Sequence, residues 1–191
     1  MNASIAVTLI GPDRPGIIDR VATAAAAHGA NWLDSRMANL AGQFAGIVHL
    51  EVVEGAVEGL REALAALEGD GLAVTVAAGE ARAPARPAGA RALGLEITGQ
   101  DQPGIVRDIS HALAARGVSI ESLETRREHA SWSGETLFRA TATLLVPAEV
   151  ELDELERAVE ALSDEIMVDA AFDEPEAVAI APPSVPATDP V

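Results

Sequence analysis

The 191-residue chain contains no cysteine, no tyrosine and only five aromatic residues in total. Without cysteine there can be no disulfide, no thiolate metal site and no cysteine nucleophile. The core therefore has to be built from Leu, Ile, Val and the abundant alanine, of which there are 39. Hydrophobic residues still make up 49% of the chain, which is enough for a globular protein and too much for a fully disordered one.

Positive charge is also scarce. The 13 basic residues, all arginine, stand against 30 acidic residues and leave a net charge of -17. A chain this acidic repels phosphate backbones, so we expect no direct nucleic-acid binding. No hydrophobic run approaches the roughly 20 residues of a membrane helix, and the N-terminus lacks the basic start of a signal peptide. We therefore expect a cytoplasmic protein without a membrane partner.

The chain contains one sequence unit twice, at an offset of 88 residues. Residues 7–31 (VTLIGPDRPGIIDRVATAAAAHGAN) match residues 95–119 (LEITGQDQPGIVRDISHALAARGVS) without a gap. Gly11, Gly16, Gly29 and Pro15 each have a counterpart of the same type 88 residues later, which chance similarity over 25 positions would not maintain. We therefore predict two domains, a first copy at residues 1–81 and a second copy at residues 93–173.

Two stretches outside the copies have the composition of unstructured chain. Residues 82–92 belong to a run of Ala, Gly, Pro and Arg without periodicity, which is typical of a linker. Residues 174–191 contain five prolines and are predicted to form a disordered tail. The two copies differ in charge, with a net -6 for residues 1–81 and -11 for residues 93–173.

Each copy shows the same order of hydrophobic patterns. A strand with alternating residues leads into Gly-x-Asp-x-Pro-Gly, and a helix, two strands, a second helix and a last strand follow. The order β-α-β-β-α-β predicts an α+β protein of two ferredoxin-like domains in tandem, each with an antiparallel four-stranded sheet and two helices on one face. Asp13 and Asp101 are predicted to be helix N-caps, with Pro15 and Pro103 in the first turn.

Both copies thus share Gly-x-Asp-x-Pro-Gly-Ile between a strand and a helix, and the first copy adds Gly-x-Asn after the helix. This arrangement resembles the ACT domain, a small-molecule sensing module of amino-acid metabolism. The second strands, with Asp34-Ser35-Arg36 in the first copy and Glu124-Thr125-Arg126 in the second, resemble the glycine cleavage system transcriptional repressor group of that family. The resemblance covers residues 1–173.

The resemblance implies a regulatory protein rather than an enzyme, with no cofactor. Its ligand would be a small amino acid, with glycine as the first guess. Its partner would be a DNA-binding transcription activator, reached through protein contact. Unpaired sheet edges would also allow a homo-oligomer.

The glycine of the motif suits the carboxylate of an amino acid. The N-terminus of a helix offers unpaired N–H groups and a partial positive charge. Gly16 and Gly104 lack a Cβ atom, so a ligand can approach the backbone closely. The sequence therefore predicts a carboxylate site at Gly16 and Ile17, or at Gly104 and Ile105.

The ammonium group of the ligand needs a negative or carbonyl oxygen. Asp13 and Asp101, three residues before the glycine, supply a carboxylate. In ACT domains that bind amino acids, a polar residue at this place and an Asn at the start of the second strand resemble Asp13 and Asn31. The second copy has Ser119 in place of Asn31, so the two copies are not expected to bind equally.

Other interpretations remain open at this point. The motif can serve only as a strand-to-helix turn, and the chain can be a ligand-free dimerisation module or a separate regulatory subunit of an amino-acid-metabolism enzyme. The loop around Trp132 lengthens one hairpin of the second copy and is a candidate partner contact. The four histidines are scattered and none has metal-ligand spacing, so we expect no catalytic or metal site.

Overall fold

The computed structural model describes residues 1–79, 88–129, 136–161 and 168–173. The chain separates into two units at the boundary between Ala85 and Arg86, and each unit contains one copy of the repeat. The predicted Trp132 loop, the predicted tail and most of the predicted linker lie outside the described residues.

The first copy forms a four-stranded antiparallel sheet with the order β2-β3-β1-β4. Two α-helices connect its strands. Its elements are β1 Asn2–Pro12, α1 Ile17–Ala27, β2 Asn31–Leu40, β3 Gln43–Val53, α2 Val57–Ala65 and β4 Ala73–Ala78.

The second copy repeats this topology with the order β6-β7-β5-β8. Its elements are β5 Arg91–Gln100, α3 Ile105–Ala114, β6 Ser119–His129, β7 Thr136–Val146, α4 Leu152–Glu160 and β8 Val168–Asp173. The predicted tandem α+β fold is confirmed. β5 begins at Arg91, so the last two residues of the predicted linker belong to a strand.

The two copies even share an irregularity of the backbone. The pairing of β2 with β3 shifts register between Trp32 and Asp34. The pairing of β6 with β7 shifts between Ile120 and Ser122, 88 residues later. A β-bulge of this kind bends its strand and is kept as a structural feature, so the duplication extends to the local geometry of the sheet edge.

Alternating residues place the core on one face of each sheet. In β1 the side chains of Ile5, Val7 and Leu9 are buried, and in β3 those of Val48 and Leu50 are buried with them. The helices cover this face, because their hydrophobic residues recur at helical spacing. Among the described residues no polar or charged residue is buried, so the cores of both copies are entirely hydrophobic.

The helices begin later than the sequence predicts. α1 starts at Ile17 and α3 at Ile105, and the N-cap positions are Gly16 and Gly104. Both glycines have a positive φ, of 90° and 98°, which residues with a Cβ atom rarely adopt.

The prediction of Asp13 and Asp101 as N-caps is therefore wrong, and Pro15 and Pro103 precede the helices. The reason is that the left-handed glycine, rather than the capping propensity of aspartate, fixes where the helix starts.

None of the described helices combines the length and the apolar character that a membrane crossing requires.

We expect the fold to respond to loss of a core side chain on the central strand β3. Leu50 has no exposed surface, so Leu50→Ala should lower the free energy of unfolding by about 2–5 kcal/mol through lost burial and a cavity. Leu40→Ala is the matched control, because Leu40 is 77% exposed and its loss should change stability by less than about 0.5 kcal/mol. Urea unfolding followed by circular dichroism measures both, and equal effects would contradict the assigned core.

Candidate functional site

The candidate site is the motif turn, which comprises residues 13–16 in the first copy and 101–104 in the second. In the first copy it links β1 to α1, and the carbonyl oxygen of Gly16 accepts the first helical hydrogen bond from the backbone N–H of Arg20, at 3.1 Å. The N–H groups of the first helical turn have no partner within the helix. The turn therefore presents backbone donors at the positive end of α1.

Ile17 and Gly16 contribute to this site in different ways. The side chain of Ile17 is only 3% exposed and packs in the core, so this residue anchors the helix and leaves only its backbone N–H for a ligand. Gly16 is exposed. Within the described part of the chain, and apart from Gly16 and its immediate chain neighbours, no atom lies within 4 Å of the position that a Cβ atom on Gly16 would occupy. The turn of the first copy is thus open.

The hairpin between β2 and β3 holds Asp13 in place. The backbone N–H of Asp13 donates to the carbonyl oxygen of Gly42 at 2.9 Å. The side-chain amide of Asn39 donates to the carboxylate of Asp13. This contact uses one oxygen of the carboxylate, and a carboxylate has about four lone-pair positions, so Asp13 can also accept a hydrogen bond from an ammonium group.

The sequence analysis did not identify Asn39 as a site residue. The repeat alignment could have drawn attention to this position, because the equivalent residue of the second copy, at position 127, is arginine rather than asparagine. The contact itself depends on the register of a hairpin 26 residues away from Asp13, which the local pattern does not reveal.

In the second copy the same place holds an ion pair. The Nε of Arg127 lies 2.6 Å from a carboxylate oxygen of Asp101. The backbone N–H of Asp101 donates to the carbonyl oxygen of Thr136 at 3.1 Å, as Asp13 does to Gly42. The backbone of the two turns is thus alike, whereas the carboxylate is paired with a neutral amide in one and with a cation in the other.

The glycine of the second turn is also less accessible. A Cβ atom on Gly104 would lie 3.4 Å from Nη2 of Arg107 and 3.6 Å from Oδ2 of Asp108. These two side chains form an ion pair at 2.8 Å. The hydrogen bond to Asp108, and then its charge, raise the pKa of Arg107, so this guanidinium stays charged throughout the physiological pH range. Ile105, like Ile17, is 3% exposed and belongs to the core.

Asn31 and Ser119 do not join the turn of their own copy. Asn31 begins β2 after the C-terminal end of α1, whereas Asp13 and Gly16 lie at its N-terminal end. Since α1 has 11 residues, these ends are about 16 Å apart. The same topology separates Ser119 from Asp101 and Gly104. The structure brings together Asp13, Gly16 and the backbone of Ile17, without Asn31.

Arg14, inside the first turn, is a second residue that the sequence analysis did not assign. Its Nη2 atom is buried and has no hydrogen-bond partner among the described residues. A buried guanidinium nitrogen without a partner calls for an explanation, and a carboxylate is the group that arginine pairs with best. The second copy has Gln102 at this position.

Two other features are less suited to a ligand. The polar groups of the Asp34-Ser35-Arg36 stretch hydrogen-bond to one another. The carboxylate of Asp34 accepts from the backbone N–H of Ser35 at 2.7 Å and from Nη1 of Arg36 at 3.0 Å. A hydrophobic cavity beneath α3, lined by Ile109 and Phe138 among others, has a volume of about 10 Å³, which is room for one water molecule. Within the described ranges no three His, Asp or Glu side chains are grouped to hold a metal ion.

Comparison with known proteins gives matches to both halves of the chain. Residues 4–76 and residues 94–164 each match a family model of the ACT domain. The glycine cleavage system transcriptional repressor of Escherichia coli (strain K12) is 25% identical over 162 residues, which cover 85% of both chains, and the Shigella flexneri protein of that name matches equally. A crystal structure of an unknown protein from Galdieria sulphuraria is 29% identical with a TM-score of 0.77, and the match covers 91% of this chain and 99% of that one.

The pairing of Asp101 with Arg127 can be measured by a double-mutant cycle. Arg127 and Asp101 are 68% and 22% exposed, so we expect a coupling free energy of about 0.2–1 kcal/mol from the unfolding of Asp101→Asn, Arg127→Gln and the double variant. In about 1 M salt the coupling should largely disappear, because exposed charges are screened. The Asp13 and Asn39 pair is the control, since its amide is uncharged and its coupling should depend less on salt. Absence of coupling at low salt would refute the ion pair.

Proposed function

Since the chain belongs to the ACT domain family, with one ACT domain in each half, we propose that it is a regulatory protein that senses a small amino acid. The observation that carries this proposal is the open turn of the first copy. There the exposed Gly16 and the start of α1 lie three residues from Asp13, whose carboxylate accepts a hydrogen bond from the neutral amide of Asn39.

This turn suits a ligand in which a negative carboxylate and a positive ammonium group are attached to the same carbon atom. The ligand carboxylate would accept from the backbone N–H groups after Gly16, where the helix end favours an anion. The ligand ammonium would donate to Asp13. Arg14 lies two residues before Gly16, and one nitrogen of its guanidinium is buried without a hydrogen-bond partner among the described residues. This nitrogen would add a donor for the ligand carboxylate. An α-amino acid satisfies both ends, whereas a simple carboxylic acid leaves Asp13 unused.

Glycine is the first ligand to test. The relatives from Escherichia coli and Shigella flexneri are named for the glycine cleavage system, and the turn offers backbone and charged groups rather than a pocket for a side chain. Serine and alanine are the natural comparisons, because they add one small group to the same charged ends.

The regulatory output would go through a protein partner. The relatives are named as transcriptional repressors, but a chain with a net charge of -17 is repelled by DNA. A DNA-binding transcription activator, whose DNA-binding surface is basic, fits both facts. No cofactor or catalytic step is required.

Ligand binding can change the protein through the hairpin. Asn39 and Gly42 of the β2–β3 hairpin both contact Asp13. A ligand bound to Asp13 would therefore affect the positions of both this hairpin and the start of α1. If one arrangement of these two elements binds the ligand better, the ligand increases its population. A partner that prefers the same arrangement then binds more tightly, and the coupling is reciprocal.

Isothermal titration calorimetry with glycine tests the site. At about 100 µM protein, a dissociation constant of about 1 mM or tighter is measurable. Gly16→Ala should weaken binding at least about tenfold, because a methyl group at φ 90° strains the turn and faces the ligand. Gly29→Ala is the matched control, with a positive φ of 64° and open space around it within the described residues. No heat with glycine, serine or alanine would refute the sensor.

Affinity capture from a lysate, with and without glycine, tests the output. We expect a DNA-binding regulator whose recovery changes with glycine for the wild type and does not change for Gly16→Ala. Recovery of a metabolic enzyme with the same glycine dependence would identify the chain as a regulatory subunit instead. Recovery that ignores glycine in both proteins would contradict ligand-controlled contact.

A further inference from the structure

We propose that the two ACT domains are functionally unequal and that Arg127 keeps the second one from binding the amino acid, by occupying Asp101 in place of the ligand's ammonium group. Of the two motif turns, only the first would then bind the amino acid, with Asn39 as the residue that leaves Asp13 available. This inference rests on the proposed function of the motif turn.

Asn39 and Arg127 occupy equivalent positions in the two domains. Asn39 and Arg127 are 88 residues apart, as are Asp13 and Asp101. In each copy the side chain at this position of the second strand contacts the aspartate of the turn. The contact is therefore the same structural feature in both domains, and only its chemistry has changed.

The two domains differ in the charge of the group that contacts the aspartate of the turn. An amide donor leaves the carboxylate of Asp13 with its full negative charge, which attracts an ammonium group. The guanidinium of Arg127, at 2.6 Å, neutralises Asp101 and makes the kind of charge-assisted hydrogen bond that the ligand would make. A ligand that enters the second turn has to displace Arg127 and then meets a positive charge beside its own.

The two turns differ as well around the glycine, where the ligand carboxylate would bind. A Cβ atom on Gly104 would lie 3.4 and 3.6 Å from Arg107 and Asp108, whereas a Cβ atom on Gly16 would meet no described atom within 4 Å beyond its immediate chain neighbours. Both ends of the second turn are thus covered by the protein's own charged side chains. The first turn has Asp19 and Arg20 at the positions of Arg107 and Asp108, and these leave Gly16 exposed.

The two turns also differ at the residue after the aspartate, which is Arg14 in the first and Gln102 in the second. The buried Nη2 of Arg14 has no partner among the described residues, and the second turn carries the uncharged Gln102 at this place. In the described part of the first domain, Asp13 thus accepts from a neutral amide, and one guanidinium nitrogen of Arg14 has no hydrogen-bond partner. A zwitterionic amino acid supplies an opposite charge to both groups.

Binding stoichiometry on the full chain tests the inference. Equilibrium dialysis with radiolabelled glycine should give one site per wild-type chain. Arg127→Asn gives Asp101 the partner that Asp13 has, and it should add a second site. Asn39→Arg should weaken binding to the first domain at least about tenfold, since it places a cation on Asp13. Arg127 is 68% exposed and Asn39 is exposed, so neither change disturbs the core.

Arg126→Asn is the matched control. Arg126 is the neighbouring arginine on β6, is 61% exposed and pairs with Glu128 at 2.6 Å, so its loss changes the net charge equally without touching Asp101. We expect it to keep one site. Two equal sites in the wild type, or a single site in Arg127→Asn, would overturn the inference while the sensor function stands. No binding of glycine, serine or alanine by the wild type or any variant would refute the sensor function itself.

Discussion

The conformation of one glycine in each copy determines where the first helix begins and what its N-terminus presents. The chain has to pass from a strand into a helix over four residues, and it does so with Gly16 and Gly104 at φ values of 90° and 98°. Only glycine adopts this conformation without strain. It places Ile17 and Ile105 in the core. In the first copy it also leaves Gly16 exposed at the start of α1, whereas in the second copy the backbone N–H of Ile105 donates to the carbonyl oxygen of Gln102 at 3.4 Å. The candidate site is thus a by-product of the connection that the fold requires.

Because the unit occurs twice, the features that both copies share can be distinguished from those that differ around the candidate site. The topology, the β-bulge and the glycine of the turn are the same in both copies. The residues that line the turn are not the same, because an amide faces Asp13 and a guanidinium faces Asp101. A helix N-terminus alone does not define a binding site, and the side chains around it determine whether a charged ligand finds unpaired groups there.

The fold could be predicted from the sequence because its signals are local. Alternating residues predicted the strands, and two copies of one pattern made the domain division visible. The helix start was mispredicted because aspartate is a good N-cap by propensity, while the left-handed glycine prevails in the folded chain. Asn39 was missed because its contact with Asp13 depends on hairpin register. Asn31 was grouped with Asp13 by resemblance, although the length of α1 places them at opposite ends of a helix.

The residues that distinguish the two turns lie where a substitution has little effect on stability. Asn39, Asp19, Arg107 and Arg127 are all exposed, and exposed substitutions usually change stability by less than about 0.5 kcal/mol. The core and the positive-φ glycines allow no such freedom, since their replacement creates cavities or strain. A duplicated domain can therefore lose or retain a charged ligand by a single exchange on its surface while its fold is unchanged. In the proposed function the arginine at position 127 is this exchange, and it would leave the chain with two ACT folds and an amino-acid site at only the first motif turn.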